Sequence, residues 1–205
     1  MKRLAVIFFI CILAVFCSCK ENIFKYSFFQ IGTLINLTLV SSEEKAIAVS
    51  QKVKNEFKRI KTVFSPYNKK SELYKINSHA ANQGVPSSKE MISLIKLSSV
   101  ISKRTNGAFD ISFAPLGVIW NYKKKPFLPP SRELVEKTKS LVDYKNIKIK
   151  NNTIIRLSKG MKLGLGGIAK GYAIKKAIDI LKKNNIQSGI VEAGGDLQVI
   201  GEKSL

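Results

Sequence analysis

The chain has 205 residues, 45% of them hydrophobic and 24% charged, a balance that supports one domain with a buried core and excludes an intrinsically disordered chain. Its formal net charge of +21 indicates an anionic partner: nucleic acid, an anionic membrane surface or a phosphorylated ligand. All three cysteines precede residue 20 and His79 is the one histidine, which excludes disulfides, cysteine nucleophiles and multi-histidine zinc sites from the rest of the chain.

Residues 1–18 have the pattern of a signal peptide. Lys2 and Arg3 precede an uncharged apolar run over residues 4–16, which is too short to span a bilayer comfortably. Because Cys19 stands where this run stops, the segment looks like a bacterial lipoprotein signal with Cys19 as the lipidated N-terminus; an uncleaved membrane anchor is the alternative. We therefore expect a lipid-anchored protein on the extracytoplasmic side of a bacterial membrane, with no nucleic acid as partner.

The N-terminal half of the chain predicts a strand pair and then a long helix. After a tether over residues 19–27, one domain is expected over 28–205, and it begins with a strand pair or bent strand at 28–39. A capping box at Ser41 and Glu44 predicts the start of the helix. The apolar residues of this helix recur at helical spacing: Ala46, Val49, Val53, Phe57, Ile60 and Phe64.

The middle of the chain predicts loops and two further helices. Residues 65–86 read as a polar loop. A second helix is expected to begin at Ser87, with Glu90 three positions on, and to end before a loop over 107–120. Ser131 is the predicted cap of a third helix.

The C-terminal part predicts two hairpins separated by a helix. Residues 146–157 form the first hairpin, and a glycine-rich turn at 164–167 opens the helix. Strands at 189–193 and 197–200 form the second hairpin, around a Gly-Gly turn. Strands and helices interleave without βαβ regularity, so the predicted fold class is α+β.

The glycine-rich turn Gly164–Gly167 is the strongest candidate for a ligand site. Glycines let the backbone approach a ligand closely, and the N-terminus of the following helix offers free N–H groups and a partial positive charge. Lys170 adds a full charge, so the segment suits a diphosphate; the alternative is a turn that only packs the helix on a sheet. A P-loop is excluded because Ala169 and Gly171 flank the lysine.

The same turn also matches a dinucleotide-binding fingerprint. Gly164, Gly166 and Ala169 have its spacing, and Glu192 ends a later strand as a ribose-binding acid would. That fingerprint should open a βαβ fold, for which too few residues follow, so we interpret the match as coincidental. A nicotinamide-binding oxidoreductase is nevertheless one functional hypothesis.

Two further segments can carry chemistry. The loop Ala108-Phe109-Asp110, with Trp120 beyond it, can stack a planar ring and hydrogen-bond its edge; alternatively the two rings belong to the core and Asp110 to a turn. The turn before Asp196 is ordinarily a hairpin turn and can also be part of a site.

Together, five ordered motifs resemble the FAD:protein FMN transferases of the ApbE family. They are Gly32-Thr33; Phe64-Ser65-Pro66-Tyr67 with Ser71-Glu72-Leu73 and Asn77; Gly107-Ala108-Phe109-Asp110 with Pro115-Leu116 and Trp120; Gly166-Gly167-Ile168-Ala169-Lys170-Gly171-Tyr172-Ala173; and Gly194-Gly195-Asp196. Their order and spacing hold over nearly all of the chain after Cys19.

The resemblance implies an α+β, T-fold-related domain that binds FAD in a cleft, with Mg²⁺ at the diphosphate. It implies that a threonine hydroxyl of an acceptor protein attacks the FMN phosphorus and that AMP leaves. The implied acceptor is a flavin-carrying subunit of a membrane redox complex, and some family members instead hydrolyse FAD to FMN and AMP.

The resemblance also implies site residues. The implied FAD-contacting positions are Ile31, Tyr67, Ala108, Phe109, Asp110, Gly164 and Lys170. The implied metal ligand is the backbone carbonyl of Gly167.

Some positions depart from the family pattern. Aspartate is usual where Gly164 and Lys175 stand, and two further metal ligands, in a D-x-x-x-T arrangement, are expected after the Gly-Gly turn, whereas the sequence ends at Leu205. We therefore expect a C-terminally truncated fragment with weak FAD binding and little or no transfer. A non-catalytic FAD-binding or trafficking lipoprotein and an FAD pyrophosphatase are the alternatives.

Overall fold

The computed structural model describes residues 22–122 and 124–201; the predicted signal peptide and Cys19 lie outside these residues. The strands are β1 (Asn22–Gln30), β2 (Thr33–Ser41), β3 (Gly84–Pro86), β4 (Ile147–Lys150), β5 (Thr153–Arg156), β6 (Gly189–Ala193) and β7 (Asp196–Ile200). The α-helices are α1 (Glu43–Phe64), α2 (Glu72–Ser78), α3 (Lys89–Arg104), α4 (Ala114–Trp120), α5 (Arg132–Lys139) and α6 (Gly166–Lys183).

The larger sheet is antiparallel, with strand order β1-β2-β6-β7. β2 pairs with β1 from Gln30↔Thr33 to Asn22↔Ser41, and with β6 from Ile35↔Ala193 onward. Alternate residues of β2 are fully buried on one face, where α1 and α6 pack against the sheet and against each other. The period of two along the strand therefore separates the core face from the outer face.

The helical periodicity of α1 is confirmed in full. The six apolar residues predicted to share one face are the six buried residues of the helix. The predicted cap of α5 is also confirmed, since the Ser131 hydroxyl accepts a hydrogen bond from the Leu134 N–H. Periodicity predicts these elements well because the same face must meet the core on every turn.

The smaller sheet has strand order β3-β5-β4 and contains the first predicted hairpin. Its turn residues Asn151 and Asn152 have φ values of 47° and 58°. The second predicted hairpin, β6–β7, turns at Gly194 and Gly195, with φ values of 53° and 91°. Both turns have the positive dihedrals that two-residue hairpins require, so both predictions are confirmed.

Two predicted capping boxes are wrong by one residue. Ser41 is the last residue of β2 with its side chain buried, so Ser42 precedes the first helical residue and makes no side-chain cap. Ser88, rather than Ser87, caps α3, and its hydroxyl accepts from the Met91 N–H. Ser41 is paired with Asn22 in the sheet, and the Ser87 N–H donates to the Asn152 carbonyl. Each helix therefore begins one residue later than predicted.

Three segments predicted as irregular contain regular structure. Residues 22–27 of the predicted tether belong to β1, because they pair with β2 along its whole length. The predicted loop 65–86 contains α2 and β3, and the predicted loop 107–120 contains α4. α2, α4 and β3 have seven residues or fewer, so local patterns reveal them poorly, whereas the alternation of β1 is visible in the sequence.

The dinucleotide-binding hypothesis does not fit this topology. The strand before the glycine-rich turn, β5, lies in the smaller sheet, and β6 after α6 pairs antiparallel with both of its neighbours. A βαβ unit needs parallel strands in one sheet, so the fingerprint match is coincidental. Within the described residues, no helix combines the length and the apolar character that crossing a bilayer demands.

Candidate functional site

The glycine-rich turn leads directly into the N-terminus of α6. The residue at the N-cap position is Leu165, which provides no side-chain cap, and Gly166 and Gly167 are exposed. A Cβ atom on Gly166 would meet nothing within 4 Å, so the space in front of the helix is open. The N–H groups at the start of this 18-residue helix have no side-chain cap, an arrangement that favours an anion; the predicted anion site stays a prediction.

The loop of Ala108, Phe109 and Asp110 lies beside this turn. A Cβ atom on Gly167 would stand 3.3 Å from Cε2 of Phe109, so the phenyl ring lies against the first turn of α6. The backbone N–H of Gly164 donates to the carbonyl of Ile111 at 2.7 Å. The two stretches predicted to converge on one ligand are therefore neighbours in the fold.

Asp110 uses its carboxylate to fix its own loop. Oδ1 accepts hydrogen bonds from the N–H of Ser112 at 2.7 Å and from the Ser112 hydroxyl at 2.6 Å. Oδ2 accepts from the N–H of Tyr144 at 2.8 Å. The turn interpretation of Asp110 is therefore supported by the structure, and its carboxylate joins the loop to Tyr144.

Lys170 joins α6 to the β6–β7 turn. Its Nζ donates to the Gly194 carbonyl at 3.1 Å and pairs with Oδ2 of Asp196 at 3.1 Å. Gly194 in turn abuts Thr33, because a Cβ atom there would stand only 2.4 Å from the threonine Oγ1. The Gly32-Thr33, Lys170 and Gly194–Asp196 motifs thus meet at one end of the larger sheet.

Ile31 occupies the β1–β2 turn at this same end. Its φ of 47° is a left-handed conformation that a β-branched residue rarely adopts. The side chain packs partly against the core. The turn therefore presents a strained backbone beside the converging motifs.

Tyr67, another predicted site residue, is 83% exposed. Its backbone N–H donates to the Ser65 hydroxyl at 3.2 Å. Phe64, at the end of α1, contacts the ring of Tyr172 edge-on with centroids 5.6 Å apart. This contact places the segment that carries Tyr67 near the second turn of α6.

Glu192 and Trp120 both contact other side chains of the protein. The Glu192 carboxylate accepts hydrogen bonds from Asn36 Nδ2 at 2.5 Å and from the N–H of Gly195. Both bonds lower the pKa of the carboxyl, and the bond from Asn36 has the larger effect. Trp120 stacks on Tyr122 and lies near-parallel to a phenylalanine ring beyond it, so its ring belongs to an aromatic layer.

One polar network behind the site was missed by sequence reasoning. The Tyr172 hydroxyl donates to Oε1 of Glu90 at 2.6 Å, and Arg59 donates to both oxygens of the same carboxylate at 2.7 and 2.6 Å. The Arg59 bonds lower the pKa of Glu90, and burial raises the pKa of the Tyr172 hydroxyl. The network ties α1, α3 and α6 together, and because its members are far apart in the chain, no local signal could have revealed it.

These residues fit a diphosphate better than a divalent metal. Asp110, Glu192 and Asp196 are each engaged with protein groups, and the described residues contain no cluster of three metal-binding side chains. The carbonyl of Gly167 belongs to the first turn of α6 and points along the helix. Mg²⁺ prefers one or two carboxylates with substrate phosphates, so the described residues alone do not fit a Mg²⁺ site.

The candidate site is exposed at Gly166 and Gly167. A cavity of about 450 Å³, lined by residues including His79, Arg156 and Lys159, includes none of the predicted ligand residues in its lining.

Comparison with known proteins gives a consistent result. A family model described as "ApbE family" matches residues 31–205. The FAD:protein FMN transferase of Vibrio cholerae is 25% identical over 176 residues, which cover 83% of this chain and 52% of that protein. A FAD:protein FMN transferase of Klebsiella pneumoniae is 25% identical over 184 residues, which cover 89% and 57%.

Solved structures are similar over the same region. The ApbE protein from Thermotoga maritima has a TM-score of 0.82 and 33% identity, covering 89% of this chain and 60% of that chain. The flavin transferase ApbE from Vibrio cholerae has a TM-score of 0.83 and 21% identity, with the same coverage. The predicted α+β, ApbE-like fold is confirmed, and the chain spans just over half the length of the relatives that it matches.

Proposed function

The chain belongs to the ApbE family, and on that premise we propose that it binds FAD at the α6 N-terminus and takes part in transferring FMN to an acceptor protein. The observation that carries this proposal is the meeting of an uncapped, glycine-lined helix N-terminus, Lys170 and the loop 108–110 at one surface. A diphosphate flanked by two planar ring systems matches such a surface in charge and shape.

The proposed reaction is a phosphoryl transfer. The hydroxyl oxygen of an acceptor threonine attacks the FMN phosphorus, the bond from that phosphorus to the bridging oxygen of AMP breaks, and AMP leaves with the bridging oxygen. The hydroxyl proton passes to solvent. FMN then remains on the acceptor, a flavin-carrying protein, as a phosphoester. Of this chain's residues, the α6 N–H groups and Lys170 would hold the diphosphate during the transfer.

Mg²⁺ is the proposed metal of the transfer step. Since the described residues do not supply its ligand set, we assign it no step on this surface. FAD binding and FMN transfer should therefore differ in their dependence on the metal. FAD binding should persist in a chelator, whereas transfer should need added Mg²⁺.

FAD binding tests the site directly. Titration of the protein against FAD, followed by flavin fluorescence, should show saturable binding, and Lys170→Ala should weaken it about three- to tenfold because one charge-assisted contact is lost. Lys183→Ala is the matched control, since it removes the same charge from the last turn of the same helix. Equal weakening by both variants would mean that Lys170 acts only through net charge.

Transfer is tested by mass. Incubation with FAD, Mg²⁺ and a flavin-carrying acceptor should add the mass of FMN, less one water, to a threonine and release AMP. Retention of FAD without either product would support the alternative of a non-catalytic FAD-binding or trafficking protein. AMP and free FMN without acceptor modification would support FAD hydrolysis. Two features favour the non-catalytic alternative: the Asp110 carboxylate is already hydrogen-bonded within the protein, and position 164 is a glycine, which has no carboxylate.

We also propose that Cys19 anchors the protein to a bacterial membrane on its extracytoplasmic side, because the apolar run over residues 4–16 stops just before it. Metabolic labelling with a fatty acid should label the wild-type chain and not Cys19→Ser. A labelled Cys19→Ser variant would contradict the assignment.

A further inference from the structure

The segment that leads into the glycine-rich turn is held on one side by the side chain of Asn77. Asn77, in the last turn of α2, accepts a hydrogen bond from the Leu163 N–H at 2.7 Å through Oδ1. Its Nδ2 donates to the Leu163 carbonyl at 2.9 Å, across 86 residues of sequence. Leu163 is fully buried, so its N–H and carbonyl depend on these two bonds.

The opposite edge of the same segment is held by backbone groups. The Gly164 N–H donates to the Ile111 carbonyl at 2.7 Å, and Phe113 forms a parallel bridge with Lys162. Asn77 therefore takes the place of a neighbouring strand on the free side. Two residues, Gly164 and the N-cap residue Leu165, separate Leu163 from the first turn of α6. The position of Leu163 therefore affects the direction of the helix N-terminus.

Asn77 is itself immobilised by a buried arginine. Arg156, 5% exposed, donates from Nε to the Ile76 carbonyl at 2.9 Å and from its terminal nitrogens to the carbonyls of His79 and Met161. These acceptors lie at the C-terminal end of α2 and just before Leu163. The negative end of the α2 dipole compensates the buried charge. Arg156 thus fastens the same two segments that Asn77 joins.

The chemistry of this contact selects asparagine. Leu163 presents one donor and one acceptor, and a side-chain amide offers the matching acceptor and donor in one plane. An ionised aspartate has no donor and would face the Leu163 carbonyl with a negative charge. A protonated aspartic acid regains one donor and one acceptor in nearly the same shape.

We propose that Asn77 is a positioning residue that sets the glycine-rich turn for a diphosphate-bearing ligand. The proposal rests on the proposed function for its ligand, whereas the contact with Leu163 stands on the geometry alone. Asn77 touches no ligand in this arrangement. It acts through Leu163 and Gly164 on the N–H groups of α6.

The test compares Asn77→Asp with wild type in the full-length protein held in non-ionic detergent. At pH 7.5 the variant should bind FAD about tenfold more weakly, since the buried Leu163 carbonyl loses its donor and faces a carboxylate oxygen instead. At pH 5 part of its affinity relative to wild type should recover as the carboxyl takes up a proton, since the facing carbonyl and burial raise the carboxyl pKa while the nearby Arg156 guanidinium lowers it. Recovery at acid pH is not expected from a merely destabilised fold.

Hydrogen exchange supplies a readout that needs no ligand. The amides of residues 163–168 should exchange faster in Asn77→Asp than in wild type at pH 7.5 and closer to the wild-type rate at pH 5. Asn184→Asp is the matched control: this asparagine also ends a helix and makes one donor and one acceptor contact, with Ile180 and Lys52. It should leave FAD affinity and these amides unchanged. Asn77→Ser, which carries no titratable group, should show the same loss at both pH values.

The outcomes separate the two proposals. If wild type does not bind FAD, the proposed function fails and exchange at 163–168 alone decides whether Asn77 positions the turn. If wild type binds FAD and Asn77→Asp binds it equally well at pH 7.5, or loses affinity without recovery at pH 5, the positioning role is overturned. A variant that folds only at pH 5 overturns it as well, because Asn77 would then stabilise the whole fold rather than set the turn.

Discussion

A methyl group added at position 164 should test how tightly the glycine-rich turn is packed. A Cβ atom on Gly164 would stand 2.9 Å from Cε1 and 3.1 Å from Cζ of Phe113, and 3.3 Å from the Cβ of Ala114. The residue does not have a positive φ, so its backbone accepts alanine and the cost is steric. The space where the family resemblance leads us to expect an aspartate is thus occupied by a phenylalanine ring.

The magnitude follows from two opposing effects. Overpacking of a buried position costs about 1–3 kcal/mol. Replacing glycine by alanine at a compatible φ regains about 0.4–1 kcal/mol from the unfolded state. Phe113 is 42% exposed and can swing toward solvent, which places the cost at the low end. We expect Gly164→Ala to lower the free energy of unfolding by about 1 kcal/mol.

The assay is a double-mutant cycle with Phe113→Ala, followed by urea unfolding with the fluorescence of Trp120, the one tryptophan in the chain. In the Phe113→Ala background the clash is gone, so Gly164→Ala should be neutral or slightly stabilising, with a coupling energy of about 1 kcal/mol. Gly117→Ala, where a Cβ meets nothing within 4 Å, is the control in open space and should stabilise α4. An equal cost of Gly164→Ala in both backgrounds would refute the steric explanation.

Three further changes test the neighbouring contacts. Asp110→Ala should lower the unfolding free energy by about 2 kcal/mol, measured in urea, because two backbone N–H groups lose a charged acceptor. The pKa of Glu90 is depressed in the folded state, so its contribution to stability is present above its unfolded pKa of about 4.3 and is lost as the pH falls through the folded value. Glu90→Gln should therefore flatten the decline of thermal stability below about pH 4. Asp196→Asn should release Lys170 and tighten FAD binding about two- to threefold, an effect that should shrink as salt is added; unchanged affinity at low salt would contradict it.

Much of the fold could be predicted because its signals are local. The apolar face of α1 recurs on every turn, and the residues of both hairpin turns have the chemistry that positive φ demands. The predicted first strand begins at residue 28, whereas β1 begins at Asn22. The alternation is visible in the sequence before residue 28, since Phe24 and Tyr26 pack against the core from within the predicted tether. That signal could have been used.

The candidate site could be predicted in outline and not in detail. The glycines and Lys170 suggest an anion site from their own chemistry. The roles of Asp110, Asn77 and Glu90 depend on partners dozens of residues away, and a sequence does not show which backbone group a side chain will meet. Tertiary contacts of this kind become visible only in the folded chain.

The strand order has a consequence for how the protein is made. β2 stands in the middle of the larger sheet, but its second neighbour, β6, leaves the ribosome long after it; the paired residues Asn36 and Glu192 are 156 positions apart. Until residues 189–193 emerge, one edge of β2 has no strand to pair with. Pairings this distant in sequence form slowly, and an open strand edge attracts other chains meanwhile. The nascent polypeptide should therefore be prone to association with other chains until β6 has emerged.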